Sequence, residues 1–302
     1  MSKLEFFENQ FNKYGSNIYI LDKNDEYVDN FGKQWRDYRD VQIDSKNDFD
    51  ISKNYLEEMV FNNIDILKDK TILEVGSGAG RFTEHLSKYS KECVSLDLSS
   101  AIYYNVSKNK INTRFIKADF NKLISEKKFD IVFCRGVLQH TPQPLNSLLK
   151  LHSFVNQNGY VFFDIYKMPK IGYLHPKYFF WRPLIKKFIK YETFENFLKK
   201  RIKFLLNIKR FVKLICFKSD FLSDCIIPIW DYKGKLKISD LKLEMWSIMD
   251  TLDGIYAKYD FPQKNKKIIN FLISNNIKIV NNNKEKNIFQ TKLILNDKKN
   301  NK

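Results

Sequence analysis

The residues best placed to do chemistry run Leu73-Glu74-Val75-Gly76-Ser77-Gly78-Ala79-Gly80-Arg81. An apolar run that breaks into alternating glycines lets the backbone turn tightly and approach a ligand with no side chain in the way. A helical pattern follows from Gly80, and its first unpaired N–H groups suit a carboxylate or phosphate. Asp97 closes the next apolar run 21 residues after Gly76, where an acid can accept ribose hydroxyls. Dinucleotide sites built on this logic favour G-x-G-x-x-G, whereas glycine here stands at 76, 78 and 80. That spacing argues against a nicotinamide dehydrogenase.

The elements that must position these residues follow from the pattern around them. Short apolar runs at 71–75, 93–98, 114–118, 129–134 and 160–165 alternate with helix-like segments, as in a parallel sheet with crossover helices. The strand at 160–165 is expected to enter through an Asn158-Gly159 turn, and Pro142 and Pro144 to open the helix before it. Near the C-terminus a helix at 262–274 precedes two further strands, at 277–280 and 289–295. The expected fold is α/β: a Rossmann-like, seven-stranded, mostly parallel sheet with flanking helices. Residues 1–62 are expected to form a helical N-terminal cap, 63–167 the α/β core, 168–237 a basic helical insertion after the fifth strand, and 238–302 the rest of the core. The last seven residues read as a frayed tail.

The glycine loop, with Glu74 in the strand before it, resembles motif I of class I S-adenosylmethionine-dependent methyltransferases. Asp97-Leu98-Ser99, Ala118-Asp119-Phe120 and the segment Phe129 to Pro142 continue the likeness in the same order. The last segment resembles the type 11 methyltransferase subgroup, which includes quinone-biosynthesis and other small-molecule enzymes. Phe31 to Trp35, Leu252-Asp253 and Tyr259 to Pro262 resemble a bacterial branch of it. The resemblance implies that Gly76, Ser77, Gly78 and Gly80 line the methionine part of S-adenosylmethionine. It implies that Asp97 holds the ribose, Leu98 packs beside the adenine, and Asp119 bonds the adenine amino group with Phe120 nearby. Arg135, Gly136 and Val137 would pass under the sulfonium.

Several residues keep two readings. Glu74 either touches the cofactor or only steadies the loop. His140 is a candidate general base, because imidazole titrates near neutrality, or it shapes the loop before Pro142. Trp35 either closes over the cofactor or is plain core, and Asp253 and Tyr259 are candidate acceptor contacts. No metal-ligand spacing is visible, and Cys93, Cys134, Cys216 and Cys225 form no CxxC pair.

Charge sets the remaining expectations. The chain holds 52 Lys and Arg against 35 Asp and Glu, which favours anionic partners. Residues 177–221 carry 13 basic side chains against three acidic ones. Within them Phe194, Leu198, Ile202, Leu205, Ile208, Val212 and Ile215 form an amphipathic stripe. Such a segment is either a lid packed on its own domain or an interfacial helix on anionic lipid. No nucleic-acid module accompanies it, and no secretory signal or membrane span is apparent. The expectation is a cytoplasmic methyltransferase acting on a small or lipid-linked acceptor, such as a sugar or quinone-like molecule, with peripheral contact at the inner face of a membrane left open. The alternative is a non-catalytic cofactor-binding or membrane-surface protein that keeps the fold.

Overall fold

A computed structural model describes residues 12–14, 18–21, 28–47, 49–106 and 112–294. The tail at 296–302 and the first ten residues lie outside them. The seven expected strands all form: β3 (Thr71–Val75), β4 (Glu92–Asp97), β5 (Thr113–Lys117), β6 (Phe129–Cys134), β7 (Val155–Asp164), β8 (Ile277–Asn283) and β9 (Ile288–Leu293). β5, β4, β3, β6 and β7 lie side by side and parallel, and β9 runs antiparallel between β7 and β8. The chain moves outward from β3 to β4 and β5, then crosses back to β6 on the other side of β3. That reversal opens a crevice beyond the carboxyl ends of β3 and β6, where ligands bind in open α/β sheets.

The parallel strands are apolar on both faces because helices cover both. Ile72, Leu73, Val75, Val94, Ile131, Val132 and Phe162 are all buried. The flanking helices include α3 (Thr83–Tyr89), α4 (Ile102–Val106), α5 (Pro144–His152) and α10 (Asn265–Ser274). Pro144 opens α5, where the missing N–H leaves no helical bond unmade.

Three expectations about organisation are corrected. The N-terminal cap is not only helical. Besides α1 (Asp29–Asp37) and α2 (Ile51–Met59) it supplies two short strands, β1 (Asn12–Tyr14) and β2 (Ile18–Ile20), which extend the sheet to nine. β2 pairs parallel with β5, and its alternation buries Ile18 and Ile20. A three-residue strand is too short to leave a periodic signal. Secondly, Asn158 and Gly159 lie inside β7 beside a register shift and make no turn. A Cβ on Gly159 would stand 2.5 Å from the Asp130 carbonyl oxygen, so the glycine permits a close strand approach.

The third correction concerns residues 238–256. The insertion forms α6 (Arg182–Phe188), the long α7 (Tyr191–Ile215) and α8 (Asp220–Ile226), followed by α9 (Asp240–Tyr256). α9 joins α7 rather than the sheet. Phe194, Leu198, Ile202 and Leu206 of α7 meet Trp246, Met249, Leu252 and Ile255 of α9, with Tyr38 and Val41 of the N-terminal segment, in a second core. An apolar stripe this long must be covered, and each fully buried Leu or Ile contributes about 1.5–3 kcal/mol. The stripe itself is partly corrected. Beyond Ile202 the buried positions are Leu206 and Lys209, while Ile215 is exposed.

A buried polar clasp fastens the N-terminal segment to α3. The His85 Nε2–H donates to Asp44 Oδ2 at 3.0 Å and faces Glu84 Oε1 at 3.2 Å. Asp44 also accepts the Ser52 and Lys53 amides, and Glu84 accepts the Ser45 amide and hydroxyl. Every carboxylate oxygen of this Asp–Glu–His group is therefore committed to holding the fold. Burial raises both carboxyls, but the bonds from His85 and the neighbouring donors outweigh it, leaving Asp44 below its usual value and Glu84 at about 2. Burial also opposes charge on His85, yet the two carboxylates hold its pKa above 6.5.

The signs define a window. The carboxylates stabilise the fold above the ordinary carboxylate range and lose that contribution as pH falls through their lowered values. The imidazolium stabilises it below about 6.5 and loses that contribution as pH rises through its raised value. His85→Gln is expected to lower the melting temperature most near pH 6 and least near pH 9, measured by circular dichroism across that range.

Candidate functional site

The glycine loop sits in the crevice. Gly76, Gly78 and Gly80 have φ of +76°, +53° and +94°. A Cβ at Gly76 would lie 2.1 Å from Val137 Cγ2, so the β3 turn and the segment after β6 close on each other only because residue 76 has none. The Gly76 and Ser77 amides donate to the Leu96 carbonyl at 2.7 and 3.1 Å, binding the loop to β4. Asp97 completes the fastening: Oδ2 accepts the Gly78 amide at 2.7 Å, and Oδ1 accepts the Ser99 amide and hydroxyl at 2.7 and 2.6 Å. A carboxylate offers about four lone-pair sites, so Asp97 retains capacity for a ligand hydroxyl. Burial drives its carboxyl above the ordinary value, against the pull of Ser99 and Gly78.

A cavity of about 790 Å³ opens from this loop, within the range of small-molecule sites. Of the residues expected at the site, Gly76, Ser77, Gly78, Asp97, Leu98, Asp119, Phe120, Arg135, Gly136, Val137 and His140 line it, as do Trp35 and Asp253. The Trp35 ring lies 3.4 Å from where a Gly78 Cβ would stand, so the indole of α1 lies close over the loop. Asp119 also caps its own turn by accepting the Asn121 amide at 2.9 Å.

Glu74, Gly80 and Tyr259 are not among the lining residues. Glu74 is buried behind the loop, where Oε2 accepts the Thr83 and Ser95 hydroxyls at 2.5 and 2.8 Å, so it steadies the strand–helix junction. Gly80 is spent on packing, since a Cβ there would meet Asn105 Oδ1 at 2.3 Å. Tyr259 contributes its carbonyl, which accepts a hydrogen bond from His140 Nδ1–H at 2.9 Å. That bond leaves Nε2 as the imidazole's lone-pair nitrogen. It has no hydrogen-bond partner among the described residues and lies 3.7 Å from Asp253 Oδ2. The rings of Phe31 and Tyr166 pack against the imidazole at 5.1 and 5.5 Å.

The far part of the cavity was not anticipated. Tyr55, Arg81, Asp164, Tyr232, Trp246 and Asp250 line it, from the cap, the loop, β7 and the insertion with its partner α9. Burial, opposed by the Tyr232 hydroxyl and aided by Asp253, pushes the Asp250 carboxyl up to about 7. Asp250 and Asp253 stand out in the sequence as a polar run before the last helix. Arg81 closes the glycine motif, and nothing local announces Tyr55, Asp164, Tyr232 or Trp246.

Residues 73–163 match the family described as a methyltransferase domain. The ubiquinone biosynthesis O-methyltransferase of Hydrogenovibrio crunogenus is 30% identical over 104 residues, 32% of this chain and 43% of that protein. The protein of the same name from Nitrosomonas europaea is 25% identical over 128 residues, 40% of this chain and 53% of its own. The chain thus spans about half the length of the curated relatives it matches. Among solved structures, PKMT2 from Rickettsia typhi covers 72% of this chain and 40% of its own, at 18% identity and a TM-score of 0.46.

Gly76→Ala places a methyl group inside Val137 on a left-handed backbone. It is expected to cost at least about 1–3 kcal/mol in urea unfolding, with nucleoside binding at the loop lost in calorimetry.

Proposed function

We propose, from the match of residues 73–163 to a methyltransferase domain, that this protein is a class I S-adenosylmethionine-dependent methyltransferase that transfers a methyl group to a hydroxyl of a small-molecule acceptor. The observation that carries the reading is one cavity shared by the glycine loop with Asp97 and by a histidine with a free lone pair. The residues suit the cofactor: a loop without side chains at 76 and 78, an acid with spare acceptor capacity, an aromatic face at Trp35, and a buried Ser77 Oγ lacking a partner. Bound there, S-adenosylmethionine supplies an electrophilic methyl group.

The chain's own work is then positioning, exclusion of water and management of one proton. His140 Nε2 is the proton acceptor for an acceptor hydroxyl, because Tyr259 holds the other ring nitrogen as donor. The imidazolium so formed gains the Asp253 carboxylate at 3.7 Å as counter-charge. Trp35, Phe31 and Tyr166 line the cavity beside the imidazole and the loop. The O-methyltransferase names of the relatives agree with a hydroxyl acceptor.

A second element of the reading concerns location. The outward face of α7 carries Phe197, Phe204 and Phe211 at heptad spacing, exposed by 48%, 61% and 62%, and Phe217 beyond it is 95% exposed. Lys199, Lys200, Arg201 and Lys203 surround them, all exposed. Aromatic side chains among cations form an interfacial surface for anionic lipid, while the opposite stripe packs on α9. Lid and lipid contact are thus two faces of one helix. Among the described residues no helix is long and apolar enough to cross a membrane.

Calorimetry should find saturable binding of S-adenosylhomocysteine, abolished by Gly78→Arg with Asp97→Ala; a folded protein that binds none would refute the reading. His140→Gln should keep that binding while label transfer from S-adenosylmethionine to 3,4-dihydroxybenzoate or to extracted metabolites falls by about 10²–10⁴-fold. In flotation assays the chain should rise with phosphatidylglycerol vesicles at low salt, and Phe204→Ser with Phe211→Ser should stay behind.

A further inference from the structure

Two arginines that line the cavity are poorly served by the protein. Arg135, at the end of β6, makes no hydrogen bond or ion pair among the described residues. Its guanidinium lies 4.3 Å from the Tyr55 ring and 5.7 Å from that of Phe82, with Nη1 buried and unpartnered. Arg81 reaches the same two rings, each at 5.0 Å, and Trp246 at 5.3 Å. Its Nε donates to Ser52 at 3.0 Å and its Nη1 to Gln42 at 2.9 Å, but Nη2 is buried without a partner among the described residues. Both side chains line the cavity.

This arrangement is costly. A buried guanidinium loses its hydration and needs acceptors in return, and two such groups sharing the same rings repel each other. The repulsion registers on Arg81, whose pKa is lowered to about 10 by burial first and by Arg135 next. Asp250 and Asp164 lie near enough to favour the charges, yet neither forms an ion pair with them among the described residues. Stacking on Tyr55 and Phe82 holds the two planar forks while leaving one Nη of each open.

We propose that Arg81 and Arg135 form the binding site for an oxyanion, a carboxylate or phosphate, carried by the methyl acceptor. An oxyanion accepts from both open Nη groups at once, and charge-assisted bonds are the strong kind. It also removes the repulsion, so the acceptor supplies what the folded protein lacks. The aromatic walls at Tyr55, Phe82 and Trp246 favour a planar body behind the anion. This rests on the methyltransferase reading and narrows it to acidic acceptors.

The test is a titration of inorganic phosphate and of benzoate into protein saturated with S-adenosylhomocysteine. Saturable binding of at least one probe is expected, weakened about tenfold or more in Arg81→Gln and in Arg135→Gln. Arg135→Lys, which keeps the charge but not the fork, should fall between. The affinity of Arg81→Gln for S-adenosylhomocysteine should change by less than about threefold, and its preference for S-adenosylmethionine over the decarboxylated analogue should match wild type. Loss of that preference would assign the guanidiniums to the cofactor's own carboxylate and overturn the proposal. So would the absence of probe binding to wild type, or binding indifferent to the variants.

Melting separates folding from recognition. Without ligand Arg135→Gln should melt at or above the wild-type temperature, since a repelling charge is gone, and phosphate should raise only the wild-type value. An arginine that merely packs would lower the melting temperature when replaced and show no phosphate effect, which would refute the site. Should S-adenosylhomocysteine not bind at all, the methyltransferase reading fails, and the same probes on ligand-free protein still decide the anion site.

Discussion

The 2.7 Å hydrogen bond from the Gly78 amide to Asp97 is the contact on which the site depends. It ties the turn after β3 to the end of β4, and the Gly76 and Ser77 amides repeat the tie through Leu96. A loop so held keeps three residues on left-handed backbone and brings Val137 against Gly76. The segment leading to Arg135, Gly136 and His140 is thereby brought to the mouth of the crevice. Glu74 reinforces the same junction from behind, through Thr83 and Ser95. The site's precision comes from strand ends locked to one another rather than from any single ligand-facing side chain.

Over this rigid base the same cavity acquires a more charged wall. Beside Arg81, Arg135 and Asp164 of the sheet layer, it is formed by parts of the chain with little sheet of their own: the N-terminal segment, the insertion and α9, united by their own apolar core. That core lets a cavity with two guanidiniums and several carboxylates exist, because the apolar packing elsewhere can offset the desolvation these groups suffer. The raised Asp250 and lowered Arg81 record the cost of burying these groups. The Asp44–His85–Glu84 clasp then holds the N-terminal wall to α3, so the cavity's shape depends on contacts well outside it.

The helix α7 shows how one element serves two purposes. Its inner stripe completes the second core, and its outer stripe of phenylalanines faces water. The sequence displays apolar residues on both faces among lysines and arginines. A helical wheel alone reports an amphipathic element without saying which face the fold covers. The position of α9 decides that, and it moves residues 238–256 out of the sheet layer.

Features that a residue enforces locally are legible along the chain. Glycines at 76, 78 and 80 are legible because a left-handed turn against Val137 or Asn105 excludes a Cβ. The parallel strands are legible because burial on both faces demands uninterrupted apolar runs, and Asp97 because it ends one of them. Only the tertiary structure decided which polar groups share the cavity. Arg81 and Arg135 stand 54 residues apart and meet over Tyr55, from a different helix. Glu74 turns inward although it sits beside the loop, and Tyr259 acts through a carbonyl that any residue would supply. Charge and hydrogen-bond capacity are properties of the residue, but the partner that satisfies or orphans them is set by where distant segments pack.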